Sequence, residues 1–270
     1  VRQCTINKVA IGGAAPVRVM GVINCSPESF FVDSYIPTKD IHAKAVEMVE
    51  AGADILDLGA RSTAPHAQAI SGTQEAERID EALKELDGTG FTISVDTMNP
   101  WVLDVCLKHE IHAVNDIAGF CSEAYVRRVA AAGLPAIVMA TDYQPGDAVG
   151  VAATHKALET VVQRCKAAGI DNYVLDPGIG LWTPFRSVDD DWELSRHFDE
   201  FLRYDRPLLA AVSRKSFIGN LLNKEPQDRL SGSLAVTMTL LQKGASSVRT
   251  HDVKETVDTV HVFERLVKRR

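Results

Sequence analysis

The sequence predicts an α/β fold, a single (β/α)8 barrel behind a short N-terminal hairpin. Short, nearly all-apolar, β-branched runs alternate with longer segments whose apolar residues recur at helical spacing. Runs apolar on both faces suit parallel strands covered by helices. The 270 residues match the usual size of one such barrel, and no long linker or low-complexity tract divides them. A doubly wound open sheet is the alternative for the same alternation.

Taken in order, residues 1–16, with Gly12-Gly13, read as a hairpin plugging the barrel's bottom, and 17–270 as the barrel itself. The strands are expected at 17–24, 53–59, 91–96, 112–116, 136–140, 173–176, 208–213 and 247–251. Helices are expected at 40–51, 73–86, 100–108, 123–132, 152–168, 190–202, 228–243 and 253–268. Several helices run into glycine, at Gly52, Gly133, Gly169 and Gly244, where a left-handed C-cap is needed.

Composition narrows the function. At 46% hydrophobic and 24% charged, the chain has ample material for a core. A net charge of −7 argues against nucleic acid as a partner, and the one dense basic run, Lys268-Arg269-Arg270, reads as a solvated helix end. No apolar run approaches the roughly 20 residues of a membrane span, so a soluble, cytoplasmic protein without a membrane partner is the expectation. Cys4, Cys25, Cys106, Cys121 and Cys165 are odd in number and scattered, as reduced intracellular thiols are. His109, Glu110 and His112 have the wrong spacing for a zinc helix and read as a polar helix–strand junction.

The informative feature is where polar residues fall. The strands are apolar until their C-terminal ends, which carry Asn24, Asp96, Asn115-Asp116, Asp176, Ser213-Arg214-Lys215-Ser216 and Arg249-Thr250-His251-Asp252. Catalytic groups of (β/α)8 enzymes gather at that rim. A single polar strand end is usually a cap or a turn; so many converging on one mouth point to an enzyme site.

These residues lie in motifs that resemble the dihydropteroate synthase family over nearly the whole chain. The motifs are Met20-Gly-Val-Ile-Asn24-Cys-Ser-Pro-Glu-Ser-Phe30, Gly52-Ala-Asp-Ile-Leu-Asp-Leu-Gly59, Ser62-Thr63-Ala64-Pro65 and Ser94-Val-Asp96-Thr97. Asn115-Asp116-Ile117, Leu175-Asp176-Pro-Gly178, Ser213-Arg-Lys215-Ser-Phe-Ile-Gly219 and Val248-Arg249-Thr-His251-Asp252 follow in the family's order. Three positions depart from it. Ala64 stands for the arginine of S-T-R-P, Ile179-Gly180-Leu181-Trp182-Thr183 replaces the usual G-F-G-K, and Met139-Ala140 stands where many bacterial members have M-H. The departures resemble the archaeal, methanopterin-associated branch.

The resemblance implies a transferase that condenses 6-hydroxymethyl-7,8-dihydropterin diphosphate with p-aminobenzoate in folate biosynthesis and releases diphosphate. It implies pterin contacts from Asp96, Asn115, Asp176, Lys215 and Met139. A carboxylate such as Asp176 can accept both donors of the pterin's pyrimidine edge. Diphosphate would be held by Asn24, Thr63, Arg249 and His251, with Mg2+ as cofactor at Asn24; Asn24, Lys215, Arg249 and His251 would form the catalytic set. Arg249 and His251 alternate on the last strand, so both face the mouth. Phe30, Pro65 and Ser216 would contact the arylamine. Loops at about 25–37 and 60–72 could close over the site. A homodimer through the last helices is also implied.

Other readings stay open. Asp176 and Asp96 can be turn or helix caps, His251 a core histidine, and Phe30 a packing anchor. The protein can be a sister synthase taking a ribofuranosylaminobenzene phosphate in tetrahydromethanopterin biosynthesis, or a pterin-binding methyltransferase or non-catalytic paralogue. The last two need no diphosphate clamp, which Ser213–Ser216 and Arg249-Thr250-His251 resemble.

Overall fold

The computed structural model describes residues 1–28, 35–62 and 69–267. It opens with an antiparallel hairpin, β1 (Cys4–Ile6) and β2 (Val9–Ile11), in register Cys4↔Ile11. Eight parallel strands follow: β3 (Arg18–Asn24), β4 (Ile55–Gly59), β5 (Ile93–Asp96), β6 (Ala113–Asp116), β7 (Ala136–Met139), β8 (Tyr173–Asp176), β9 (Leu209–Ala210) and β10 (Ser247–Thr250). They pair in the order β8-β7-β6-β5-β4-β3-β10-β9, and a parallel bridge between Leu175 and Leu208 joins the two ends. The ring is the expected barrel, not an open sheet.

Among the described residues the helices are α1 (Ile41–Glu50), α2 (Gly72–Lys84), α3 (Pro100–Cys106), α4 (Glu123–Ala132), α5 (Gly150–Ala167), α6 (Val188–Arg196), α7 (Ser216–Leu222), α8 (Leu230–Gln242) and α9 (Val253–Val267). Their starts follow local chemistry. Ser71 and Gln74 form a reciprocal capping box on α2, as Ser187 and Asp190 do on α6, and Asn99 caps α3 just before Pro100. Gly133 ends α4 at φ 64°. None of these helices is long and apolar enough to cross a membrane.

Alternation along the strands divides the core in two. Val19, Ile23, Leu56, Leu58, Val95, Val114, Val138, Leu175 and Val248 face the helices. Met20, Ile55, Ala113, Ile137, Val174 and Leu209 point inward and cluster with Cys4, Ile6 and Ile11 of the hairpin. The hairpin therefore seals the lower end of the barrel, fastened where Asn172 accepts the Thr5 N–H at 2.7 Å and donates back to the Thr5 carbonyl at 2.5 Å. Above this apolar layer the inward positions turn polar, and the site is built there.

Three elements differ from expectation. The strand expected over 208–213 pairs with β10 only through Leu209 and Ala210, and the chain then turns toward α7, with Arg214 at a left-handed φ of 56° and its N–H on Ser233 Oγ. Helix α7 has no counterpart among the expected helices; seven residues are too few to show a periodicity. The helix expected over 190–202 is α6 followed by a 3-10 turn, Phe198–Tyr204, which buries Phe198 and Phe201. His109 does mark a polar junction, bonding Asp80 at 2.9 Å and Asp87 at 2.7 Å.

Candidate active site

Inward side chains of β4, β5, β6 and β10 meet in one hydrogen-bonded network. On β10, Arg249 Nε donates to Asp57 Oδ2 at 2.6 Å, and its Nη2 donates to Asp96 Oδ2 at 2.8 Å. Asn115 Nδ2 donates to the same Asp57 oxygen at 2.9 Å. Strand register explains the meeting. Gly59 lies beside Asp96 and Asp96 beside Asn115, so β4, β5 and β6 offer adjacent inward groups, while Arg249 reaches over from its place beside Met20.

Charge in this network is perturbed. Burial pushes the Asp96 carboxyl up to about 7; Arg249 pulls it back, while Asp57, Glu75 and Asp116 add to the rise. Asp57 is wholly out of water, and its Oδ1 has no hydrogen-bond partner. Outside the network, Glu75 accepts from Thr97 Oγ1 at 2.6 Å and from Arg61 Nε at 2.8 Å, and a small cleft runs between Arg61, Glu75, Asp96, Thr97, Met98 and Ile117.

Across the mouth stand Asp176 and Lys215. Asp176 ends β8 beside Met139 in register, and its Oδ1 accepts the Gly178 N–H at 2.7 Å. Burial raises its pKa against the pull of Lys215. Met139 is buried and packs on Gly178. Lys215, the N-cap of α7, is pushed down to about 8 by burial, opposed by the carboxylates of Asp176 and Asp191; Arg249 and Arg186 add to the depression. Its Nζ donates to the Ile179 carbonyl and lies 4.9 Å from the centre of the Trp182 ring.

His251 Nδ1 lies 3.0 Å from Ser213 Oγ. Burial, with Arg249 adding, depresses its pKa to about 4, so the imidazole is neutral near pH 7. Asn24 closes β3 beside Gly59, and its Oδ1 accepts the Ser26 N–H at 3.0 Å. Ser216 opens α7, half-buried beside Lys215. Phe30, Thr63 and Pro65, with Ala64 and the Lys268-Arg269-Arg270 run, lie outside the described residues.

Two motif residues are structural. Arg214 is buried and donates twice to Asp252, at 2.8 and 2.6 Å, and to the Pro226 and Gln227 carbonyls. Asp116 accepts the N–H groups of Ala118 and Phe120, fixing the turn after β6.

A polar ring at the C-terminal mouth, with two acids and an amide facing a half-buried lysine, suits a flat heterocycle rich in donors and acceptors. The family model described as pterin binding enzyme matches residues 20–251. The dihydropteroate synthase of Escherichia coli K12 is 34% identical over 259 residues, 92% of this chain and 90% of that one. The chain belongs to the dihydropteroate synthase family.

Bacillus subtilis dihydropteroate synthase is 34% identical over 247 residues, covering 88% of this chain and 84% of the relative. The solved dihydropteroate synthase of Coxiella burnetii in complex with pteroic acid superposes with a TM-score of 0.86 at 30% identity, covering 98% of each chain. That of Xanthomonas albilineans with 4-aminobenzoic acid gives 0.87 at 30%, covering 99% of each.

Against this dihydropteroate synthase background, sequence reasoning missed Asp57, Trp182, Arg186 and Asp191. Asp57 had a usable signal: two residues beyond inward Ile55, it had to face the barrel interior. Trp182 Nε1 donates to the Gly178 carbonyl at 2.9 Å, and its Cβ packs on Gly146, joining the loops after β7 and β8. Arg186 and Asp191 form a buried ion pair at 3.0 Å within the charge-rich start of α6, where no local pattern sets these two apart from their neighbours.

Proposed function

We propose that this chain condenses a 6-hydroxymethyl-7,8-dihydropterin diphosphate with p-aminobenzoate and releases diphosphate. The carrying observation is the set Asp96, Asn115, Asp176 and Lys215 around one mouth, with Arg249 bonded into it. The 4-aminobenzoic acid bound by the Xanthomonas relative supports the second substrate.

Asp176 accepts from the pterin's amine and ring N–H, while Asn115 and Asp96 meet its remaining polar edge. Lys215, protonated below about pH 8, donates to the ring carbonyl and ring nitrogen. Met139 closes the face of the ring. As the methylene–oxygen bond breaks, its electron pair leaves on diphosphate. Arg249 and neutral His251 donate to the departing oxygens, a role the family resemblance extends to Thr63. The arylamine nitrogen then bonds the methylene carbon and gives up a proton to solvent. Ser216, half-buried beside Lys215, stands on the arylamine side; the family resemblance gives the same role to Phe30 and Pro65.

Among the described residues no group of three or more His, Cys, Asp or Glu is placed to hold a metal. Asn24 offers a neutral amide oxygen at a strand end, which suits Mg2+ brought in on diphosphate, since that ion keeps most of its waters. When bound, Mg2+ would neutralise charge on the leaving group.

A homodimer is supported by exposed apolar residues on the last helices, Leu221 and Leu222 of α7 and Val262, Leu266 and Val267 of α9. The free cysteines support a cytoplasmic setting. Diphosphate release should be measured with p-aminobenzoate and with a ribofuranosylaminobenzene phosphate in turn. Faster release with the second assigns the sister reaction, which the altered loop at Trp182 favours. No release with either, despite pterin binding, leaves a pterin-binding paralogue.

A further inference from the structure

The Arg186–Asp191 pair stands outside the pterin network, yet one peptide group connects it to Lys215. Asp191, in the first turn of α6, is wholly buried; its Oδ1 accepts the Gly180 N–H at 2.7 Å and the Arg186 Nε–H at 3.0 Å. The carbonyl on the other side of that peptide bond belongs to Ile179, and it accepts from Lys215 Nζ. In a trans peptide the N–H and C=O point in opposite directions. Asp191 therefore grips the peptide from outside the mouth while Lys215 grips it from within.

The geometry points to Asp191 as a positioning residue that holds Lys215 on the pterin by polarising the Ile179–Gly180 peptide between them. A charged acceptor on the N–H strengthens the carbonyl as an acceptor, so the hydrogen bonds along the chain reinforce one another. Gly180 permits this contact. Its φ of +147° favours glycine, and a Cβ there would meet Lys215 Nζ at 3.0 Å. Arg186 holds the far end, with Nη1 3.5 Å from the Ala148 carbonyl in the loop after β7. Asp191 Oδ2 and Arg186 Nη2 are buried without a partner, so the pair is not optimised for stability alone.

Lys215 feels Asp176 from β8, Asp191 from α6, Arg249 from β10 and Arg186 from the loop between β8 and α6. Removing the Asp191 charge leaves fewer groups favouring the protonated amine.

The inference rests on the pterin reading of the site, and the test separates the two. Asp191→Asn and the double variant Asp191→Asn/Arg186→Gln, which leaves no unpaired buried charge, are compared with wild type. Pterin binding is followed by calorimetry and the alkaline limb of kcat/KM by turnover. Asp191→Asn should weaken pterin binding about tenfold, the difference between a charged and a neutral acceptor. It should also move the alkaline limb down by about one pH unit, leaving the KM for the arylamine within about twofold. The double variant should keep the weakened binding and recover part of the limb, because Arg186 also opposes the lysine's charge. Wild-type affinity and an unmoved limb in folded variants overturn the proposal, as does failure of both variants to fold. A wild-type protein that binds no pterin overturns the pterin reading instead.

Discussion

The guanidinium of Arg249 donates to Asp57 at 2.6 Å, although the two residues lie 192 positions apart and the acid is wholly shielded from water. Asn115 donates to the same oxygen. One buried carboxylate thus orients both a proposed diphosphate donor and a proposed pterin contact.

Asp57→Ala should therefore damage both stability and turnover. Removing one partner of a buried pair typically costs about 3–5 kcal/mol. Asp96 still holds Arg249 here, so the lower end applies, about 3 kcal/mol. Urea unfolding measures it, and an unchanged midpoint would show that Asp57 does not carry the network.

Arg249→Lys should lower kcat about a hundredfold, the usual cost of losing a fixed donor to developing charge. An ammonium keeps the charge but lacks the fork that reaches Asp57 and Asp96 together. Single-turnover kinetics separates this loss from slower product release.

Asp176→Ala should weaken pterin binding about a hundredfold or more, since a charged acceptor for two donors is lost. The Gly178 N–H also loses its acceptor. Calorimetry with the pterin alone reads the effect without the second substrate.

The pH dependence of kcat/KM should be a narrow bell. Asp96, near 7, has to be ionised to accept from the pterin, so activity rises as pH increases through about 7. Lys215, near 8, has to be protonated to donate, so activity falls above about 8. A plateau from pH 5 to about 10 would remove both groups from these roles.

Chelation should abolish diphosphate release while leaving the affinity for a pterin without diphosphate unchanged. Added Mg2+ should restore the rate. Full activity in excess chelator would rule out the ion at Asn24.

The barrel and most of its mouth were legible in the residues. Two-sided apolar runs and glycine caps are local signals, and Asp96, Asn115, Asp176 and Arg249 each stand at an inward strand end that alternation specifies. Lys215 was legible by motif but not by strand, because β9 stops at Ala210 and the lysine projects from the cap of α7.

What the chain alone determined is the order of its elements and the rim on which reactive side chains fall, since these follow from short-range periodicity. Only the closed ring decided which rim residues touch. It set Asp57 beneath Arg249 and Asn115, turned Arg214 away to Asp252, and placed Asp191 behind the peptide that Lys215 grips. Contacts between distant strands depend on register and closure around the barrel, and burial then sets the charge each group carries.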